Sequence, residues 1–196
     1  MMTEDAYFEM LEKSFVKYEY WDGVAICLPG ASPNHAAIET NIVGELFRRL
    51  KGTNCSPRVS SQAVKLSGSK GYVFPDATVV CGKPEYVIKR HAGCLLNPSL
   101  VVEVLSPNTA SRDETEKLLA YSAIPTVNEY MVVSSDRYFV KLYSRHSPKE
   151  HWRLHLYSGL EDPVLLNCGC VVTLAEIYAG VEIPIIPADP HLPDTE

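Results

Sequence analysis

Apolar positions recur along this chain in three rhythms, and each predicts a different element. From Pro33 to Lys51 they return every fourth residue, at Ile38, Ile42, Leu46 and Leu50, marking one face of a helix. Ser32-Pro33 supplies its N-cap and first turn, and Gly52-Thr53-Asn54 ends it. A second rhythm is short and punctuated by turn residues. Tyr18-Glu19-Tyr20-Trp21 and Val24-Ala25-Ile26-Cys27 flank Asp22-Gly23, whose tolerance of positive φ suits a tight hairpin turn. The third rhythm is unbroken: Leu100-Val101-Val102-Glu103-Val104-Leu105 reads as a strand buried on both faces.

Around these anchors the rest of the chain falls into order. Residues 4–14 form a short amphipathic helix. Arg58 to Leu66 and Tyr72 to Cys81 form a second hairpin around residues 67–71, and Gly82 to Asn97 reads as a short strand or a mobile loop. Ser111 or Asp113 caps a helix to about Ser122, and residues 128–134, 137–144 and 151–157 make a meander turned first at Ser135-Asp136. Thr173 caps a closing helix, Leu174 to Tyr178, before Gly180. The expected fold is α/β, a mixed central sheet flanked by helices, in one domain over residues 1–186 with a disordered Pro-rich acidic tail at 187–196.

Composition narrows this picture little. With 46% hydrophobic and 21% charged residues among 196, the chain is an ordinary globular one. No apolar run reaches membrane-spanning length, and the acidic Thr3-Glu4-Asp5 start lacks the basic character of a signal peptide, so a cytoplasmic protein with no membrane partner is expected. The six cysteines lack metal-ligand spacing and are expected to be reduced, structural thiols; Cys168 and Cys170 alone are close. The net charge of −6 argues against a stand-alone, high-affinity DNA binder. Basic groups gather at Arg48-Arg49-Leu50-Lys51, at Lys89-Arg90-His91 and along Arg137 to Arg153. Each is either a solvated face or a surface that tracks phosphates.

The chemistry begins with Glu103. An ionised carboxylate inside an apolar strand is costly unless a metal ion or a cation pairs with it. Asp76, after Phe74-Pro75 and before another apolar run, is a second carboxylate in a similar setting, and Lys117 follows on a predicted helix. Two strand-borne carboxylates and a lysine are the parts of a magnesium-dependent phosphodiester-cleaving site. Each residue also has a plainer reading. Asp76 can be a strand-end turn residue, and Glu103 a structural ion pair with Lys117 or Arg112. Lys117 can be a solvated helix residue, His35 a capping or surface histidine, Glu19 a cross-strand surface partner, and Tyr121 packing beside the cleft.

Taken in order, these residues resemble a known family. Tyr18-Glu19-Tyr20-Trp21-Asp22-Gly23, His35, Pro75-Asp76, Val102-Glu103-Val104-Leu105-Ser106-Pro107, Asp113, Lys117, Tyr121 and Glu129-Tyr130 resemble the Uma2-type restriction-endonuclease-like family, within the PD-(D/E)XK nuclease superfamily. The resemblance covers roughly residues 10–180 and implies a restriction-endonuclease-like core. It also implies a metal-dependent DNA endonuclease, with DNA as partner and Mg, or Mn, as cofactor. Asp76 and Glu103 would hold the metal, with the Val104 carbonyl and Glu19 as further ligands and His35 in the site. The superfamily's usual lysine, two residues after the second acid, is Leu105 here. Positions 103 and 105 of a strand face the same way, and the resemblance implies that Lys117 reaches back to fill the vacancy.

Three classes of function stay open: a nuclease, an inactive descendant that binds nucleic acid or a protein, and an enzyme of another phosphoryl class. Retention of two acids and a lysine favours the first. A homodimer is expected, because cutting both strands of a duplex commonly takes two sites.

Overall fold

The computed structural model describes residues 1–68, 71–105 and 110–183, with the backbone alone for 110–113. In chain order the elements are α1 (Glu4–Lys13), β1 (Tyr18–Trp21), β2 (Val24–Cys27), α2 (Pro33–Leu50), β3 (Cys55–Val59), β4 (Val64–Lys65), β5 (Tyr72–Val73), β6 (Ala77–Cys81), β7 (Tyr86–Lys89), β8 (Ala92–Leu95) and β9 (Leu100–Leu105). They continue with α3 (Ala110–Ser122), β10 (Glu129–Ser134), β11 (Val140–Ser144), β12 (Arg153–Tyr157), β13 (Pro163–Leu165), β14 (Val171–Thr173) and α4 (Leu174–Ile177). No helix among the described residues is long and apolar enough to cross a membrane.

Two six-stranded sheets form the body. The central one has the order β12-β11-β10-β9-β6-β3, and the second β2-β1-β5-β4-β8-β7. The central sheet is mixed: β9 runs parallel to β10 and antiparallel to β6. Alternation along β9 explains its unbroken apolarity. Leu100, Val102 and Val104 pack with Ile38, Ile42 and Leu46 of α2, while Val101 and Leu105 pack with Tyr121, Tyr130 and residues of the second sheet. Glu103 belongs to that second face by the same alternation. A third cluster, around Tyr7, Phe8, Tyr20 and Tyr72, fastens α1 to the outer side of the second sheet.

Local signals set several boundaries as expected. Ser32 accepts from the His35 N–H with Pro33 in the first turn, and Thr173 with Glu176 forms a reciprocal capping box. Asp22 and Gly23 both take positive φ, 46° and 90°, as the hairpin between β1 and β2 requires.

Elsewhere the structure corrects the sequence reading. The two long strands expected at 58–66 and 72–81 are each broken, with one half in each sheet. β3 pairs with β6, and β4 with β5. Pro75, which has no N–H for a ladder, stands at the second break. Residues 82–97, expected as a short strand or mobile loop, form the β7–β8 hairpin, with Glu85 N–H donating to Asn97. Helix α3 begins at Ala110, so Ser111 and Asp113 lie inside its first turn rather than capping it. Cys55 and Cys81 are not free thiols. They face each other in the β3–β6 register and form a disulfide, a juxtaposition that their separation of 26 residues does not reveal. Cys168 and Cys170, Sγ to Sγ 3.5 Å, occupy the turn between β13 and β14. The expected tail at 187–196 lies outside the described residues.

Candidate active site

The break at Pro75 positions the centre. In the β6–β9 register Ala77 stands opposite Val102, so one step further Asp76 stands opposite Glu103. Asp76 Oδ2 accepts from the Val104 N–H at 2.6 Å, which ties the carboxylate to the strand that carries Glu103. Its other oxygen, Oδ1, faces α2, where His35 Nε2 lies 3.4 Å away. Hydrogen bonding to Asp76 raises the His35 pKa, although burial opposes this. His35 Nδ1 is buried with no hydrogen-bond partner among the described residues.

Glu103 is 4% exposed. Its Oε1 accepts from Lys117 Nζ at 3.0 Å and from the Tyr121 hydroxyl at 2.7 Å, both on α3. Spacing of four residues puts those two donors on one helical face. Lys117 Nζ also lies 3.4 Å from Glu19 Oε1, and Glu19 is itself 4% exposed. The Trp21 indole N–H and the Phe74 N–H hold the Glu19 carboxylate, at 3.1 and 3.3 Å. Desolvation pushes the Glu103 carboxyl up to about 7 against the pull of Lys117. Desolvation of Lys117 is outweighed by Glu103, Glu19 and Asp76 together, so its pKa rises and the group stays an ammonium.

The structure therefore brings Glu19, His35, Asp76, Glu103 and Lys117 into one cleft of about 870 Å³, between the β1–β2 hairpin and the N-terminal part of α2. Glu19 is no surface partner, and Lys117 is no solvated helix residue. Glu103 does make the ion pair with Lys117 that the plainer reading anticipated, inside this cluster of acids. At Val104 the contact with Asp76 is made through the N–H. The Arg112 and Asp113 side chains lie outside the described residues.

Two participants escape the sequence reading. Glu39 sits one turn after His35, and donor atoms of His35, Glu39 and Asp76 all lie within 4.8 Å of one another, a grouping able to hold a metal ion. The i, i+4 spacing on an amphipathic helix was the available signal. Tyr121, read as packing, is fully buried and directs its hydroxyl at Glu103. Nothing in a helical tyrosine's spacing distinguishes that role from packing.

A family model described as "Putative restriction endonuclease", Uma2, matches residues 4–173. The chain belongs to the Uma2 family. Two uncharacterized proteins of Synechocystis sp. are similar, one 27% identical over 92% of this chain and 93% of its own length, the other 28% identical over 79% and 86%. Among solved structures, a chain from Anabaena variabilis titled as "a putative nuclease belonging to DUF820" superposes with a TM-score of 0.67 at 15% identity. The match covers 87% of this chain and 96% of that one. The Uma2 chain thus has the fold of that structure, a mixed α/β core of the restriction-endonuclease-like kind.

Proposed function

We propose that this Uma2 protein is a divalent-metal-dependent nuclease that hydrolyses phosphodiester bonds in DNA. The observation that carries the reading is the convergence on Glu103: a buried carboxylate with one oxygen held by Lys117 and Tyr121, opposite Asp76, in an open cleft. Burial of this much charge costs several kcal/mol per ion unless function or pairing compensates it.

The residues present fit a divalent cation. Asp76 supplies hard oxygen donors and groups with His35 and Glu39, their donor atoms within 4.8 Å of one another, and Glu103 on the neighbouring strand lines the same cleft with a further carboxylate. Carboxylates alone suit Mg, and an adjacent imidazole favours Mn. When bound, the cation supplies a Lewis acid for the phosphoryl oxygens and lowers the pKa of water. The chain's own groups do the rest. Tyr121 and Lys117 both hold Glu103 Oε1, which fixes the carboxylate at the cleft wall. An ammonium flanked by two carboxylates keeps its charge, so Lys117 acts by donating to a phosphoryl oxygen or orienting the attacking water rather than by accepting a proton. The Val104 carbonyl and Glu19 remain candidates for additional ligands. Glu19, held by the Trp21 and Phe74 N–H groups, also pairs with Lys117 and steers it.

Cutting both strands of a duplex commonly takes two such sites, which a homodimer would supply; cutting one strand takes a single chain. The test is titration calorimetry with Mn together with nicking of supercoiled plasmid in Mg, Mn and Ca. Mn binding and Mg- or Mn-dependent nicking, both lost in Asp76→Asn, are expected. Unchanged Mn binding in that variant would overturn the site.

A further inference from the structure

From the surroundings of this site we infer that the cleft takes an unpaired DNA strand, whose bases lie against the apolar wall of the β1–β2 hairpin. The inference rests on the nuclease reading and adds the substrate class.

The wall begins beside the catalytic cluster. Glu19 pairs with Ile26 and Trp21 with Val24 across the hairpin, and directly opposed residues of an antiparallel pair share a face. The face that presents the Glu19 carboxylate to Lys117 therefore also carries Trp21, Val24 and Ile26, and all four line the cleft. Val24 is 56% exposed and Ile26 45%. Opposed Cβ atoms in such a pair stand roughly 5 Å apart. A nucleotide with its phosphate at Asp76 and Glu103 thus has its base within reach of Ile26 and Trp21. Phe74, beside Asp76, extends the apolar surface on the near side.

Charge points the same way. Duplex recognition draws most of its affinity from cations that neutralise phosphates. Among the described residues lining this cleft five are acids and only two, Lys17 and Lys117, are lysines. Lys117 is engaged by Glu103 and Glu19, and Lys17 donates to the Ser60 carbonyl beside the Phe74 ring. Several members of the basic clusters elsewhere are paired with acids. Arg49 pairs with Glu45 and Glu176, Lys89 with Glu4, Arg90 with Glu12, and Lys141 with Glu114. Arg145 is buried and donates to the Ser122, Ile124 and Val127 carbonyls. Among the described residues the cleft offers few uncommitted cations and much exposed apolar surface, and the base faces that such a surface can hold are presented only by an unpaired strand.

Fluorescence anisotropy in Ca, with labelled 12-mers, tests this. Three probes are compared: a mixed-sequence single strand, the same sequence as a duplex, and an abasic strand of equal length. The wild-type protein should bind the base-bearing strand about tenfold tighter than either alternative, the size expected for one base–side-chain contact. In the Val24→Ser/Ile26→Ser double variant, whose changes are at exposed positions, the gap between base-bearing and abasic strands should close. A duplex bound as tightly as the single strand overturns the inference. So does a base-to-abasic gap that survives in the double variant. Loss of self-association in that variant, without loss of strand affinity, reassigns the wall to a second copy of the chain. The nuclease reading fails separately, if wild-type protein with Mn leaves bis(p-nitrophenyl) phosphate, a diester without bases, unhydrolysed.

Discussion

Glu103 and Glu129 lie on neighbouring parallel strands and are equally hidden from water, at 4% and 2% exposure. Burial pushes both carboxyls up to about 7. Their surroundings differ completely. Glu103 faces α3, where an ammonium and a phenol meet one of its oxygens and two further carboxylates stand close by. In the parallel register Glu129 stands opposite Leu100, and it lies on the other face of the sheet. It accepts from the Asn167 N–H at 2.8 Å and, among the described residues, has no cation within ion-pairing distance. Burial and a displaced pKa are therefore shared by a carboxylate of the candidate site and one that lies away from it. Convergent partners and an open cleft separate them.

The sharpest way to break this comparison is at Glu103. Glu103→Gln should reduce Mn-dependent plasmid nicking by on the order of a thousandfold, the scale of losing a group that stabilises charge in the transition state. Its thermal midpoint should move little, because Lys117 keeps Glu19 as a partner. A variant that unfolds instead would make Glu103 chiefly a structural ion. Lys117→Ala should lose cleavage about as severely while retaining Mn binding, since an ammonium is no ligand. Adding Leu105→Lys restores an ammonium to the same strand face. It should recover a fraction of the activity at a cost in stability, because Leu105 packs in the core. Full activity in Lys117→Ala alone would sink its assigned role.

Glu129 should give the reverse pattern, a large effect on stability and none on cleavage. Its carboxyl titrates near the ordinary 4.5 when unfolded and near 7 when folded. Wild-type stability is thus complete below about pH 4.5 and declines as pH rises through 7, where the buried group must ionise. That amounts to about 3 kcal/mol by pH 8. Glu129→Gln removes this group's share of the decline and leaves that of Glu103, so urea unfolding should show the variant more stable than wild type at pH 8 and equal to it at pH 4. Equal stability at both pH values would mean that Glu129 is compensated in a way the contacts do not show.

The smallest expected effect sharpens the description of Glu103. Tyr121→Phe deletes one hydrogen bond to Oε1 and should cost about 1 kcal/mol of stability and about tenfold in turnover. A packing role alone predicts no change in Mn affinity. Weaker Mn binding in the variant, measured by calorimetry, marks Tyr121 as positioning the ligand.

Much of this molecule is decided locally and can be read along the chain. The α2 stripe, its Ser32-Pro33 start, the Asp22-Gly23 turn and the Thr173 cap depend on neighbours three or four residues away, and they stand where local rules place them. The unbroken apolarity around Glu103 likewise marked a buried carboxylate, because burying charge is costly wherever the strand lies. The breaks that split two expected strands between sheets depend on tertiary pairing, and the Cys55–Cys81 bond and the meeting of Asp76 with Glu103 depend on register between residues separated by 26 and 27 positions, which no local rule specifies. The same holds for Glu39 and Tyr121, whose chemistry comes from what their helices are packed against. Sequence determined which residues were too costly to bury without a reason. Only the packing of α2 and α3 against opposite faces of one sheet decided which of those residues would share a site, because pairing energies fall off within a few ångströms and only the fold sets those distances.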